Sequence, residues 1–192
     1  MRDLFTRASP NRRNETMTTF NVLFLCTYNA SRSIMAEAIL NHLGNGRFCA
    51  MSAGDQSVGQ IHPMALAILS DHGVPTATLK SKSWARFFGL AAPRLDFIII
   101  VCDDSHEEMV LPLEQQPIKA FWPTPNPVTG SGNGSELRAA FEALYASLES
   151  RIRALLALPM REMSRSQIWQ QLMTIGELNS AGRSTRHDNA AY

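Results

Sequence analysis

A chain of 192 residues with 45% hydrophobic side chains can bury one good core and is short for two. Its 18 basic and 17 acidic side chains leave a formal charge of +1, which argues against a nucleic-acid or anionic-membrane surface and makes any binding charge local. Three cysteines, Cys26, Cys49 and Cys102, are too few and too odd a set for a secreted disulfide scaffold, and they suit a reducing compartment.

Residues 1–19, MRDLFTRASPNRRNETMTT, are polar, carry four arginines and hold no apolar segment of signal-peptide length, so a disordered leader is expected there. Met17 stands just before the first apolar run and offers a second candidate start beside Met1. An Arg-rich leader also fits organelle import, a reading that Asp3, Glu15 and the absence of an apolar face weaken. The longest apolar run, Phe97 to Cys102, is far from the about 20 residues a bilayer span needs, so a soluble cytoplasmic protein with no membrane partner is expected.

The stretch FNVLFLCTYNASRS, Phe20 to Ser33, organises the rest. An apolar run ends in Cys26, five residues follow, and Arg32 precedes a helical pattern reaching Leu43, which predicts strand, tight loop and helix. A loop closing onto a helix N-terminus aims backbone N–H groups inward and adds the positive end of the helix dipole, so it cradles a tetrahedral oxyanion. The same field, with a guanidinium beside it, favours a thiolate over a thiol. Cys26 is therefore a candidate nucleophile and Arg32 a planar two-oxygen clamp that Lys could not replace. Ser31 and Ser33 are placed to donate to the sulfur or to cap the helix. The competing reading makes Cys26 a small buried hydrophobe at a strand end.

The first helix is expected from Ser33 to Leu43 with Met35, Ile39, His42 and Leu43 on one side, stopped by Gly44-Asn45-Gly46. Arg47 to Ala53 reads as a second strand with Cys49 in the core. His62-Pro63 opens a helix that His62 caps and Gly73 ends. Residues 76–92 connect, and Trp84, Phe87 and Phe88 either pack as a short helix or wall a pocket. Leu95 to Cys102 is β-branched and continuous, the mark of a parallel strand covered on both faces, and it brings Cys102 to a strand end as Cys26 is. Ile118 to Trp122 is a fourth strand, followed by a loop rich in proline and glycine. Ser135 is expected to cap a long helix with an apolar stripe of Leu137, Phe141, Leu144, Leu148, Ile152 and Leu155, ended by Pro159. Ser164 and Gln167 form a capping box flanked by a Met163–Ile168 staple, and Gly176 is expected to stop this last helix, whose Ile168, Leu172 and Ile175 dock on the body. Four alternating strands and helices predict an α/β fold: one domain, a four-stranded parallel sheet and helices on both faces. The expected divisions are a leader 1–19, a main domain 20–158, a helical extension 159–176 and a disordered tail 177–192. The five histidines are scattered, so no metal site is expected.

Cys26-Thr27-Tyr28-Asn29-Ala30-Ser31-Arg32-Ser33 after a strand resembles the phosphate loop of the low-molecular-weight protein tyrosine phosphatases and of the arsenate reductases that share their fold. SAGDQSVGQIHPMALAIL, SKSW at Ser81 to Trp84, VCDD at Val101 to Asp104 and FWPTPNP at Phe121 to Pro127 look specifically like the bacterial arsenate reductases. The similarity covers roughly Phe20 to Leu158. It implies a thiol-dependent reduction of arsenate to arsenite, with residues 27–33 binding the arsenate or phosphate oxyanion. It further implies Cys26 as nucleophile, Arg32 as clamp, Asn29 and Ser33 as loop-shaping and thiolate-stabilising residues, and Cys102 as second redox cysteine. No bound cofactor is implied.

Three departures qualify what the resemblance implies. Where thioredoxin-coupled reductases carry a third cysteine, this chain has Met109 and Val110, so the expected electron donor is glutathione with glutaredoxin, or Cys102 with an outside reductant. Asn126 replaces the Asp that serves these enzymes as general acid, and losing a positioned acid costs about 10²–10⁴ in rate. Asp103, Asp104 and His106 are candidate substitutes, with solvated strand-end positions as the plainer reading. Tyr28 stands where Gly is common; it costs about 1–2 kcal/mol if the backbone there needs positive φ, or else it forms a rim. Two other readings stay open: a low-molecular-weight phosphatase, and a non-catalytic oxyanion-binding relative.

Overall fold

The computed structural model describes residues 19–87, 89, 91–102, 116–130 and 133–178. Expectations about the leader up to residue 18, the tail from 179, Phe88, Asp103, Asp104, His106, Met109 and Val110 fall outside those residues. The apolar run at the start of the sequence forms β1 (Phe20–Cys26), flanked by β2 (Phe48–Gly54) and β3 (Phe97–Ile100), with β4 (Ile118–Phe121) beyond β3. All three pairings are parallel, in the order β2-β1-β3-β4. The connections carry α1 (Arg32–Leu43), α2 (Pro63–Asp71), a 3₁₀ turn at Trp84–Phe87, α3 (Gly134–Ala157), a second 3₁₀ turn at Met160–Glu162 and α4 (Arg165–Glu177). This is the expected α/β domain with a four-stranded parallel sheet.

Val22 to Leu25 and all of β3 are at most 3% exposed. Successive side chains of a strand point to opposite faces, so complete burial requires cover on both. The aliphatic run of β3 therefore reflects its central place, and each such side chain contributes about 1.5–3 kcal/mol by leaving water. At the amino end of the sheet the rings of Phe20, Phe48 and Phe97 gather, Phe20 lying 5.7 Å from Phe48 and 5.5 Å from Phe97 between centroids.

Several local expectations are corrected. Cys49 is exposed: β2 is an edge strand, and its alternation sends Phe48 and Ala50 inward and Cys49 out. His42 is exposed as well, because α1 buries its residues only through Leu40. The helix itself begins one residue early, at Arg32, and Ser31 at its N-cap makes no side-chain capping bond. Asn133, not Ser135, caps α3, its Oδ1 accepting from the N–H groups of Ser135 and Glu136 at 3.0 Å each. The strands β3 and β4 are shorter than the apolar runs that announce them, since pairing ends at Ile100 and Phe121.

The α3 stripe is as expected, with Phe141, Leu144, Leu148, Ile152 and Leu155 buried. His62 caps α2, its Nδ1 accepting from Met64 N–H at 3.1 Å. The capping box of Ser164 and Gln167 starts α4, and Ile168, Leu172 and Ile175 are buried. The helix runs one residue past Gly176. That glycine is required by packing: a Cβ there would lie 2.0 Å from the Phe121 carbonyl oxygen. The Trp122 indole N–H donates to the Leu172 carbonyl at 2.9 Å and fixes the helix against the end of β4.

Candidate active site

The turn from β1 to α1 is made by five residues, and one backbone conformation decides its shape. Asn29 has φ 48°, in the left-handed region that Asn tolerates better than most side chains. Tyr28 has no such strain, and its side chain is half-exposed (48%), so the cost expected for a positive φ does not arise. The carbonyls of Thr27, Tyr28 and Ala30 accept from the N–H groups of Gln56, Val58 and His62 at 2.9, 3.3 and 2.8 Å. With these carbonyls bonded to the segment that follows β2, the Asn29 N–H faces the Cys26 sulfur. Gly54, the register partner of Cys26, lets the loop press close, because a Cβ there would meet the Thr27 carbonyl at 2.6 Å and Asn29 N at 2.9 Å.

Cys26 lies at the floor, 3% exposed, its Sγ accepting from Asn29 N–H at 3.3 Å and 2.9 Å from Ser33 Oγ. Asn29 Nδ2 donates to Ser33 Oγ at 2.9 Å and holds that hydroxyl against the sulfur. The Asn29 N–H and the Ser33 hydroxyl thus meet at Sγ. Of the two serines, it is Ser33 whose hydroxyl contacts the sulfur.

Behind this shell lies a polar chain that no sequence motif assigns. Asn29 Nδ2 also donates to Ser52 Oγ at 2.8 Å, and its Oδ1 accepts from Lys82 N–H at 2.6 Å. Ser52 donates its proton to Glu37, whose carboxylate pairs with Lys82 Nζ at 3.0 Å. Asn29, Ser33 and Ser52 have no solvent access, so each depends on its partners to offset desolvation. Asp55, next to Gly54, keeps one buried carboxylate oxygen without a hydrogen bond.

Arg32 is 3% exposed on the first turn of α1, and its Nη1 donates to the Thr124 carbonyl at 3.1 Å. Cys102 is 5% exposed just beyond β3, and Val101 N–H bonds the Leu25 carbonyl at 2.9 Å, so both cysteines leave adjacent strands at the same end of the sheet. Asn126 is half-buried, and its Oδ1 accepts from Val128 N–H at 3.2 Å within its own turn. Among the described residues no group of three or more His, Cys, Asp or Glu could hold a metal ion, and no helix is long and apolar enough to cross a membrane.

Residues 21–169 match the family model described as low molecular weight phosphotyrosine protein phosphatase, and the chain belongs to that family. Within it, the chain is similar to several arsenate reductases. A stretch of 81 residues, 42% of this chain, is 32% identical to the "Glutaredoxin arsenate reductase" of Synechocystis sp. and spans 59% of that protein's length. The arsenate reductase of Archaeoglobus fulgidus superposes with a TM-score of 0.57 at 28% identity, covering 71% of this chain and 99% of that one. A thioredoxin-dependent arsenate reductase of Corynebacterium glutamicum gives 0.53 at 26%, covering 71% and 60%. A Vibrio cholerae low molecular weight phosphatase shares the fold at 20% identity, TM-score 0.52, over 66% of this chain and 90% of its own.

Proposed function

We propose that the protein reduces arsenate to arsenite by thiol chemistry at Cys26, with glutathione and glutaredoxin as electron donors in a reducing cytoplasm. The observation that carries this reading is the convergence of Asn29 N–H and the Ser33 hydroxyl on a buried Cys26 sulfur at the entry of the Arg32 helix. The similarity to the Synechocystis glutaredoxin arsenate reductase supports the choice of donor.

Arsenate binds among the amides of residues 27–33 with Arg32 across two oxygens. The Cys26 thiolate attacks arsenic, forming an S–As bond as one oxygen leaves with a proton. A second thiol, that of glutathione or of Cys102, then attacks the Cys26 sulfur. An S–S bond forms, the S–As electron pair stays on arsenic, and As(V) departs as As(III). Glutaredoxin or another outside thiol returns the disulfide to thiols. Incubation with arsenate, glutathione and glutaredoxin yields arsenite, and wild-type protein inert with every thiol donor overturns the reading.

Family membership also favours a second reading, hydrolysis of an aryl phosphate through a Cys26 phosphoenzyme. Asn126 separates the two. It has no proton to give, and its side chain is engaged in its own turn, which weakens an activity that must expel a phenol.

A further inference from the structure

Between α4 and the oxyanion loop runs the segment Trp122–Thr124, and one buried side chain grips it from behind. Arg151, on α3 and 1% exposed, donates from Nε and Nη2 to the Leu178 carbonyl at 3.1 and 3.0 Å, where α4 ends. Its Nη1 donates to the Trp122 carbonyl at 3.1 Å and to Thr124 Oγ1 at 2.8 Å, and its Nη2 to the Pro123 carbonyl at 3.1 Å. The Thr124 hydroxyl in turn donates to the Trp122 carbonyl at 2.8 Å. On its other side, the Thr124 carbonyl accepts from Arg32 Nη1.

We propose that Arg151 is a positioning residue of the oxyanion site, which makes the C-terminal helix part of that site. A buried guanidinium is heavily penalised by desolvation, and an aliphatic residue at this point of the α3 stripe would fill the core without that penalty. What only the planar fork supplies is simultaneous hold on several carbonyls at fixed angles. By holding the Trp122 and Pro123 carbonyls together with the Thr124 hydroxyl it fixes this stretch of backbone, and with it the direction of the carbonyl that Arg32 meets. The guanidinium plane of Arg32 is thereby set before any oxyanion arrives. The Leu178 carbonyl, one of the acceptors a helix end leaves without an intrahelical partner, completes the grip.

This inference rests on Arg32 acting as the oxyanion clamp, and its test keeps the two apart. In full-length protein, Thr124→Val removes the hydroxyl link alone, and Arg151→Lys removes the fork. Hydrogen exchange of the Arg32 Nη1–H groups, followed by nuclear magnetic resonance without ligand, rises about tenfold in each variant. The Kd for inorganic phosphate by calorimetry weakens roughly tenfold, the loss of one well-placed bond to a charged group. The double variant is no worse than Arg151→Lys alone, since that change already removes the hydroxyl link. Ile168→Val loosens α4 packing without touching the link, lowers Tm and leaves both readouts in place. Unchanged Arg32 exchange in Thr124→Val overturns the positioning role while phosphate binding by wild type sustains the oxyanion reading. Faster exchange in a protein whose wild type binds neither phosphate nor arsenate sustains positioning and sinks that reading. If Arg151→Lys does not fold, Thr124→Val decides alone.

Discussion

At the amino end of the sheet three phenylalanine rings close the core, while at the carboxyl end the buried residues include Thr27, Asn29, Ser31, Arg32, Ser33, Ser52 and Thr124. The same four strands thus finish in opposite chemistries. Apolar burial is non-directional and tolerates swaps that preserve volume. Buried polar groups are directional, and removing one leaves its neighbour unsatisfied at a cost of about 1–3 kcal/mol. Directional polar packing concentrates at the second end.

The division can be broken by substitutions at either end. The largest effect is expected from Cys26→Ser: arsenite formation falls by about 10⁴ or more, as when a coupled set loses its nucleophile, while the thermal transition moves little. Next, Asn126→Asp raises hydrolysis of p-nitrophenyl phosphate by about 10² or more if an acid is all the phosphatase chemistry lacks, and an unchanged rate excludes that explanation. Phe97→Ala costs about 3–5 kcal/mol in a denaturant titration yet leaves phosphate affinity of the folded protein unaltered; a matching loss of affinity would show that the two ends are not independent. The smallest effect belongs to Cys49→Ser, within about 0.5 kcal/mol, because that side chain faces solvent on an edge strand.

The fold was readable because its signals are local and repeated: β-branched runs for the central strands, a three-and-four spacing for α3, a capping box for α4. The turn from strand to helix was readable because an apolar run, five loop residues and a helical pattern follow one another in order. Arg151 was not, although the signal existed. Position 151 shares the spacing of Leu148, Ile152 and Leu155, and only the habit of assigning arginine to water hides it. Glu37 and Lys82 are 45 residues apart and meet beside Ser52, a pairing that no local pattern encodes. Ser135 and Asn133 are both good capping types two residues apart, so composition alone does not choose between them. Cys49 was misplaced because its strand lies at the sheet's edge, and edge or centre is a property of the assembled topology.

The close seat of Gly176 on Phe121 has a consequence for association. The N–H groups of Ile118 and Trp122 bond toward β3, so the Phe121 carbonyl points to the free side of β4. The terminal helix occupies that side. An incoming extended chain meets a packed backbone there in place of an open row of acceptors, and α4 guards this flank against strand addition by a neighbouring molecule.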